Sequence, residues 1–230
     1  MTVQVKICGI TDEIALETAV SAGASYLGFV FFERSPRHLT LDQATALAAL
    51  VPDDVLKVAL TVNAGDATLD PIVEALKPDL LQLHGEEPPE RLAALRERYG
   101  LALMKAIPVG GPEDLAAIDV YQKAADLLLF DAKPPKSMAG ALPGGNGLIF
   151  DWSLIAGSRP AIPWMLSGGL DAGNVGEAIR MTGAPIVDVS SGVESAPGKK
   201  DPARIKAFCE AALRTSESGV PGSGTPKRKL

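Results

Sequence analysis

The stretch Tyr26-Leu27-Gly28-Phe29-Val30-Phe31-Phe32 consists of hydrophobic residues and one glycine. Successive side chains of a β-strand point to opposite faces, so a strand with one face in water alternates apolar and polar residues. Apolar residues on both faces are typical of a parallel strand that is covered on both sides. This stretch therefore predicts a strand in the interior of an α/β protein.

Similar apolar runs recur roughly every 20–35 residues, which is the spacing of strands that are each followed by a helix. The segments between them carry helix-start patterns: Thr40 with Gln43 predicts a capping box, and Asp70-Pro71 and Asp201-Pro202 each predict an N-cap before proline. Eight strand–helix units predict a single-domain (β/α)₈ barrel. An open doubly wound sheet is the alternative, but no G-x-G-x-x-G turn follows the first strand. The predicted strands span residues 3–8, 26–32, 56–62, 80–83, 101–107, 127–131, 164–167 and 186–189.

Composition limits the classes of function. The chain has 230 residues, 47% of them hydrophobic, and a net charge of −6. An acidic chain argues against a nucleic-acid partner, and no apolar run approaches the roughly 18 residues that span a membrane. The start of the sequence lacks a signal-peptide pattern, so we expect a cytoplasmic protein with Cys8 and Cys209 as free thiols. Residues 215–230 are poor in apolar residues and predict a disordered tail after a barrel domain at 1–214.

In a (β/α)₈ barrel the functional side chains follow the carboxyl ends of the strands. Cys8 ends the first strand and is either a small core residue or a thiolate whose pKa is lowered by a helix N-terminus or by a cation such as Lys6. Arg34 and Arg37 follow the second strand, where a guanidinium can bind a carboxylate through two parallel hydrogen bonds. His84 ends the fourth strand, a position at which a hydrogen-bonded structural histidine is more common than a catalytic one.

Asp131 ends the sixth strand. Burial of an unpaired carboxylate is costly, and burial raises the pKa of a carboxyl group, as a general acid requires. Residues 134–147 follow as the longest irregular stretch, and their length is typical of lids or binding loops.

Two small-residue turns follow the seventh and eighth strands. They contain Gly168 and Gly169 in the first turn and Ser191 and Gly192 in the second. Backbone N–H groups in such turns bind phosphate without requiring a basic protein. The two turns together predict a phosphate site.

These residues lie in segments that resemble phosphoribosylanthranilate isomerases, and the resemblance extends in order over residues 3–213. The matching segments are VKICGIT (5–11), GFVFF (28–32), QLHGE (82–86), LSGGL (166–170) and VDVSSGVE (187–194). The loop sequence Gly144-Gly145-Asn146-Gly147 keeps the glycines of the family's Gly-Gly-Thr-Gly pattern. The basic tip Lys227-Arg228-Lys229 lies outside the pattern.

The resemblance implies an Amadori rearrangement of N-(5-phosphoribosyl)anthranilate in tryptophan biosynthesis, with Cys8 as general base and Asp131 as general acid. It also implies that Arg37 binds the anthranilate carboxylate and that the two turns bind the phosphate. His84 and Asp188 join the substrate-binding set without individual roles. No cofactor or metal is expected, and the sequence leaves a monomer and a homodimer open.

Other functions remain open at this stage. A ribulose-phosphate epimerase or a histidine-pathway sugar isomerase would use a similar phosphate site. A Schiff-base aldolase would need a desolvated lysine at a strand end, for which Lys105 and Lys133 are the candidates. A barrel that binds anions without catalysis is the alternative outside the enzymes.

Overall fold

The computed structural model describes residues 2–134, 142, 144–145, 147–158 and 160–217. In this part of the chain, eight parallel strands alternate with eight α-helices, and a short hairpin precedes the last helix. The strands are β1 (Gln4–Cys8), β2 (Tyr26–Phe31), β3 (Leu56–Thr61), β4 (Leu80–Leu83), β5 (Ala102–Val109), β6 (Leu127–Ala132), β7 (Trp164–Leu166), β8 (Ile186–Val189), and the hairpin strands β9 (Glu194–Ala196) and β10 (Lys199–Lys200). The helices are α1 (Glu13–Ser21), α2 (Leu41–Ala48), α3 (Asp66–Leu76), α4 (Pro89–Tyr99), α5 (Ala116–Tyr121), α6 (Ser153–Ala156), α7 (Val175–Thr182) and α8 (Pro202–Glu217).

The eight strands close into a barrel in sequence order. Closure is made by β1 and β8, which pair in parallel with Lys6 opposite Asp188 and Ile7 opposite Val189. The predicted (β/α)₈ barrel is confirmed, and the alternative of an open doubly wound sheet is wrong. Closure leaves the barrel without an edge strand and brings the carboxyl ends of all eight strands to one rim.

Two apolar layers hold the barrel together. The smaller layer fills the barrel interior and includes Val58, Met104 and Leu129. The larger layer lies between the strands and the helices and includes Phe29 and Phe208, both fully buried. Residues of one strand alternate between the two layers, so β2 to β8 each contribute apolar residues to both, whereas the inward face of β1 carries Gln4, Lys6 and Cys8.

Most of the predicted helix boundaries are present, with one correction. Thr40 and Gln43 form the predicted capping box, and the Asp201 carboxylate accepts hydrogen bonds from the first amides of α8. The N-cap predicted at Asp70-Pro71 is wrong, since α3 begins at Asp66 and contains Pro71. Leu69 is fully buried and the Asp66 carboxylate pairs with Arg91 of α4, so tertiary contacts extend the helix ahead of the proline.

The last helix passes the predicted domain boundary. Because α8 ends at Glu217, Thr215 is helical and the boundary after residue 214 falls inside the helix. Residues 218–230 lie outside the described residues, so disorder of the tail remains a prediction. The stretch 134–147 is described only at residues 134, 142, 144–145 and 147, none of which is in a helix or strand. None of the described helices has the length and apolarity needed to cross a membrane.

Candidate active site

A pocket opens at the carboxyl rim of the barrel and has a volume of about 750 Å³ including its open mouth. Eight of the nine predicted site residues line it: Cys8, Arg37, His84, Asp131, Gly168, Gly169, Asp188 and Ser191. The ninth, Gly192, follows Ser191 in the chain. Strands that are distant in the sequence therefore bring the predicted residues together.

Cys8 lies beside a buried ion pair. The Lys6 Nζ atom is 2.8 Å from Asp188 Oδ1, and the Ser167 hydroxyl donates a hydrogen bond of 3.0 Å to Asp188 Oδ2. Lys6 and Cys8 point to the same side of β1 because they are two residues apart. Gly28 on β2 makes room for both, since a Cβ atom there would lie 2.9 Å from the Cys8 Sγ atom and 3.1 Å from Lys6 Nζ.

The electrostatic surroundings of Cys8 differ from the sequence prediction. Burial raises the pKa of the Cys8 thiol above its ordinary value, while the charges of Lys6 and Lys200 act to lower it. The prediction of a lowered thiol pKa is therefore wrong, because desolvation outweighs the two cations. Burial acts to lower the pKa of Lys6, but Asp188 and Cys8 together raise it above its ordinary value, so Lys6 is a cation beside the thiol.

Asp131 is 5% exposed and lies in a short chain of polar groups. Its Oδ2 atom is 3.2 Å from His84 Nε2, and its Oδ1 atom accepts a hydrogen bond from the backbone N–H of Ala132. The other ring nitrogen of His84, Nδ1, is 2.9 Å from Gln82 Nε2. Gln82 therefore holds the His84 imidazole against the Asp131 carboxyl group. His84 thus has a structural contact in addition to its position in the pocket.

Arg37 is anchored by a carboxylate of the chain itself. Its Nε and Nη2 atoms donate hydrogen bonds of 2.7 and 2.8 Å to the two carboxylate oxygens of Glu194, and Nη2 also donates to Gly145 O. The two parallel hydrogen bonds that we predicted between Arg37 and a ligand carboxylate are therefore formed with Glu194. The Nη1 edge of the guanidinium remains directed toward Gly145 at the pocket wall.

Lys200 completes this buried group. Its Nζ atom is 2.8 Å from Glu194 Oε1 and donates a hydrogen bond to the Ser190 carbonyl at the end of β8. Burial acts to raise the pKa of Glu194, but Arg37 and Lys200 lower it below its ordinary value, so Glu194 is a carboxylate. Arg37, Glu194 and Lys200 thus link the rim at β2 to the rim at β8.

The two predicted phosphate turns require glycine. Gly168 and Gly169 have φ angles of 88° and 61°, which L-residues with side chains rarely adopt. A Cβ atom at Gly192 would lie 2.0 Å from the Leu170 carbonyl oxygen, so the two turns are in direct contact. Ser191 begins a single 3₁₀ turn, whereas Asp171 accepts hydrogen bonds from the backbone N–H groups of Gly173 and Asn174 just before α7. Gly168 and Gly169 of the first turn and Ser191 of the second line the pocket.

The two lysines that an aldolase would need do not line this pocket. Lys105 is 2% exposed, but its side chain points out of the barrel and pairs with Glu87. Lys133 is largely exposed and its ammonium lies 2.5 Å from the Asp114 carboxylate. Neither position suits a Schiff-base lysine in the pocket.

Several residues of the site were missed in the sequence. Gly28, Ser167, Gln82 and Glu194 contact the predicted residues, and Lys200 contacts Glu194. Gln82 precedes His84 by two residues and therefore points to the same inward side. Ser167 follows Met165, which faces the barrel interior, by two residues. The alternation of side chains along the strands could therefore have predicted both residues. Glu194 and Lys200 belong to the hairpin β9–β10. The fold brings this hairpin against Arg37, and no pattern in the sequence indicates that contact.

The fold and the pocket define the class of this protein, which is a (β/α)₈-barrel enzyme with its site at the carboxyl ends of the strands. The family model described as N-(5'-phosphoribosyl)anthranilate (PRA) isomerase matches residues 5–211. The chain belongs to this family.

Individual relatives agree with the family match. The N-(5'-phosphoribosyl)anthranilate isomerase of Parvibaculum lavamentivorans is 65% identical over 214 residues, which cover 93% of this chain and 100% of the relative. A crystal structure of a phosphoribosyl anthranilate isomerase in complex with reduced 1-(o-carboxyphenylamino)-1-deoxyribulose 5-phosphate is 35% identical with a TM-score of 0.79, covering 91% and 98% of the two chains. A structure of monomers generated from the dimeric enzyme of Thermotoga maritima is 36% identical with a TM-score of 0.78 and the same coverage.

Proposed function

We propose the residue roles by which this chain carries out the reaction of its family, the Amadori rearrangement of N-(5-phosphoribosyl)anthranilate to 1-(2-carboxyphenylamino)-1-deoxyribulose 5-phosphate. One observation carries the proposal: Cys8 from β1 and Asp131 from β6 both line one pocket, with β7 and β8 between them. A general acid and a general base on two sides of a substrate are what an aldose–ketose rearrangement needs.

Asp131 is the general acid. Its proton goes to the ring oxygen of the ribose, the bond between that oxygen and C1 breaks, and the anthranilate nitrogen supplies the electron pair for a protonated Schiff base. The hydrogen bond between His84 Nε2 and Asp131 Oδ2 orients the carboxyl group for this transfer. His84 therefore acts on the substrate through Asp131 as well as by lining the pocket.

Cys8 is the general base. Its thiolate removes the proton from C2, and the electrons of that C–H bond move into the C1–C2 bond and neutralise the iminium nitrogen. The resulting enolamine becomes the ketone by moving a proton from the C2 hydroxyl to C1, so the overall composition does not change. Lys6 supports the thiolate by its charge, and Asp188 with Ser167 holds Lys6 in place.

The two ends of the substrate are held by anion sites. The Nη1 edge of Arg37 binds the anthranilate carboxylate, while Glu194 holds the opposite edge of the guanidinium. The turns at Gly168–Gly169 and Ser191–Gly192 bind the phosphate through backbone N–H groups. Fixing both ends makes the proton transfers effectively intramolecular.

The remaining expectations follow from this function. We propose a cytoplasmic enzyme with one barrel domain, a small phosphorylated substrate and no nucleic-acid or membrane partner. As the assembly of this enzyme we propose a monomer or a homodimer.

The assigned roles are tested by two substitutions, Cys8→Ser and Asp131→Asn. Each removes a proton-transfer group, so we expect kcat to fall by about 10²–10⁴-fold. Turnover is followed by the loss of anthranilate fluorescence from freshly formed substrate, and binding is measured with reduced 1-(o-carboxyphenylamino)-1-deoxyribulose 5-phosphate.

The matched controls are Cys209→Ala, a buried cysteine of α8, and Asp119→Asn, an exposed aspartate of α5. Both controls should keep kcat within twofold of the original chain. A Cys8→Ser or Asp131→Asn protein that binds the analogue and turns over normally would remove that residue from the catalytic role. An original chain without any turnover would refute the function itself.

A further inference from the structure

Lys105 is a buried cation that the proposed reaction does not use. It lies on the outward face of β5, between the buried residues Leu103 and Ile107 of the layer that faces the helices. Its Nζ atom donates hydrogen bonds to the Leu83 carbonyl at 3.3 Å and the Gly85 carbonyl at 2.6 Å. These two carbonyls belong to the residues on either side of His84.

Glu87 holds the same segment from the other side. Its carboxylate lies 3.2 Å from Lys105 Nζ and accepts hydrogen bonds from the backbone N–H groups of Gly85, at 3.0 Å, and Asn63, at 2.7 Å. The Tyr121 hydroxyl donates to the Glu87 carbonyl, and its ring lies 5.3 Å from Lys105 Nζ. The backbone from residue 83 to residue 87 is thus bound by side chains from β5 and α5.

This segment has no room to shift toward β3. A Cβ atom at Gly85 would lie 2.3 Å from Asn63 Oδ1, which itself accepts a hydrogen bond from the Glu86 N–H. The backbone N–H of His84 donates to the Thr61 carbonyl at 2.9 Å. His84 therefore has a fixed backbone, and its ring reaches Asp131 from there.

Stability alone gives a weak reason for such a pair. Replacing a buried ion pair by well-packed apolar side chains is often neutral or stabilising, because removing two charges from water is costly. Lys105 and Glu87 instead form hydrogen bonds with the backbone on either side of His84. That choice of partners indicates a requirement for geometry in the segment that contacts the proposed acid.

We propose that Lys105 and Glu87 are positioning residues that hold His84 against Asp131 and so set the rate of proton delivery to the substrate. The inference rests on the function proposed above for Asp131. It assigns a role to two side chains that never touch the substrate.

The test is Lys105→Met, which keeps the apolar stem and removes the ammonium. We expect kcat to fall by at least tenfold, while the Kd for reduced 1-(o-carboxyphenylamino)-1-deoxyribulose 5-phosphate changes by less than threefold. A kcat loss without a binding loss is the result that a general loosening of the pocket would not give. Arg98→Met, which breaks an exposed ion pair with Asp70, is the control and should leave both quantities unchanged.

A double-mutant cycle with His84→Ala separates positioning from a structural effect. If Lys105 acts through His84, adding Lys105→Met to His84→Ala should lower kcat by less than twofold further. Losses that multiply in the double variant would overturn the proposal, as would a folded Lys105→Met protein with kcat within twofold of the original.

Folding is checked by circular dichroism for each variant. Where Lys105→Met fails to fold, Glu87→Gln takes its place, because it keeps an acceptor oxygen for the Gly85 and Asn63 amides while removing the charge. We expect the same tenfold loss of kcat in Glu87→Gln. If neither variant folds, the positioning role is refuted and the pair is required for folding. An inactive original chain would refute the proposed function, whereas an active one with unaffected variants would refute only this inference.

Discussion

At the scale of single residues, Lys6 decides whether Cys8 can act as a base. Burial raises the pKa of the thiol, and Lys6 is the first of the charges that oppose this rise. A general base works in its deprotonated form, so a raised thiol pKa makes the rate increase as the pH rises toward that pKa. Removing the cation must move this increase to still higher pH.

The residue-scale prediction is that Lys6→Met moves the rising limb of kcat/KM to higher pH by about one unit or more, since the charge that lowers the thiol pKa is lost while Asp188, which raises it, stays; one unit corresponds to 1.36 kcal/mol. Lys6→Met combined with Asp188→Asn avoids leaving a buried carboxylate without its partner and should shift the limb less, because it also removes a charge that raises the thiol pKa. At neutral pH we expect a loss of roughly tenfold, with part of the activity recovered at alkaline pH. The measurement is the pH profile of the fluorescence assay.

Lys123→Met, on an exposed residue in the turn after α5, is the charge-matched comparison and should keep the original profile. An unchanged rising limb in the Lys6 variant would mean that Cys8 is not the group whose deprotonation controls the rate.

At the scale of elements, the turns after β7 and β8 depend on their close contact. Gly192 approaches the Leu170 carbonyl so closely that no side chain fits between the two turns. The amides proposed to bind phosphate are therefore positioned by one turn packing against the other. Neither turn by itself has a side chain that would bind phosphate by charge.

The element-scale prediction is that Gly192→Ala separates the turns and raises KM for the phosphorylated substrate by about tenfold, equivalent to about 1.4 kcal/mol. Competition by inorganic phosphate should weaken in parallel, because the same amides bind it. The matched control is Gly157→Ala, at a glycine whose added Cβ would meet nothing within 4 Å. Equal KM values for the two variants would remove the turn after β8 from the phosphate site.

At the scale of the whole molecule, the barrel is completed by α8. This helix packs against α1 and α7 and buries Ile205, Phe208 and Ala212. It also contacts β1, which pairs with β8 to close the barrel and places Lys6 opposite Asp188. The site therefore depends on the end of the barrel domain as well as on its beginning.

The whole-molecule prediction is that a chain ending after Glu217 keeps its melting temperature within about 2 °C, a change below 1 kcal/mol for a domain of this size. Its kcat should also be unchanged, since all buried residues of α8 are retained. A chain ending before Ile205 is the comparison and should lose cooperative unfolding, because the apolar faces of α1 and α7 become exposed. Thermal unfolding by circular dichroism distinguishes the two.

The sequence by itself determined the strands and most of the pocket. Runs that are apolar on both faces need helices on both sides or a closed barrel, and this requirement appears locally in stretches such as 26–32 and 127–131. Cys8, Asp131, Gly168 and Ser191 were found because the carboxyl end of a strand is a position that can be read along the chain. The capping box at Thr40 is equally local, and the structure contains it.

Only the tertiary structure decided the electrostatics and the supporting contacts. The Cys8 pKa depends on the balance between desolvation and the charges of Lys6 and Lys200, which β1, β8 and β10 bring together over long sequence distances. Glu194 occupies the two-bond face of Arg37, and Lys105 binds the carbonyls beside His84. Such contacts join residues with no pattern that links them in the sequence, because burial and pairing are properties of the closed barrel and not of any one segment.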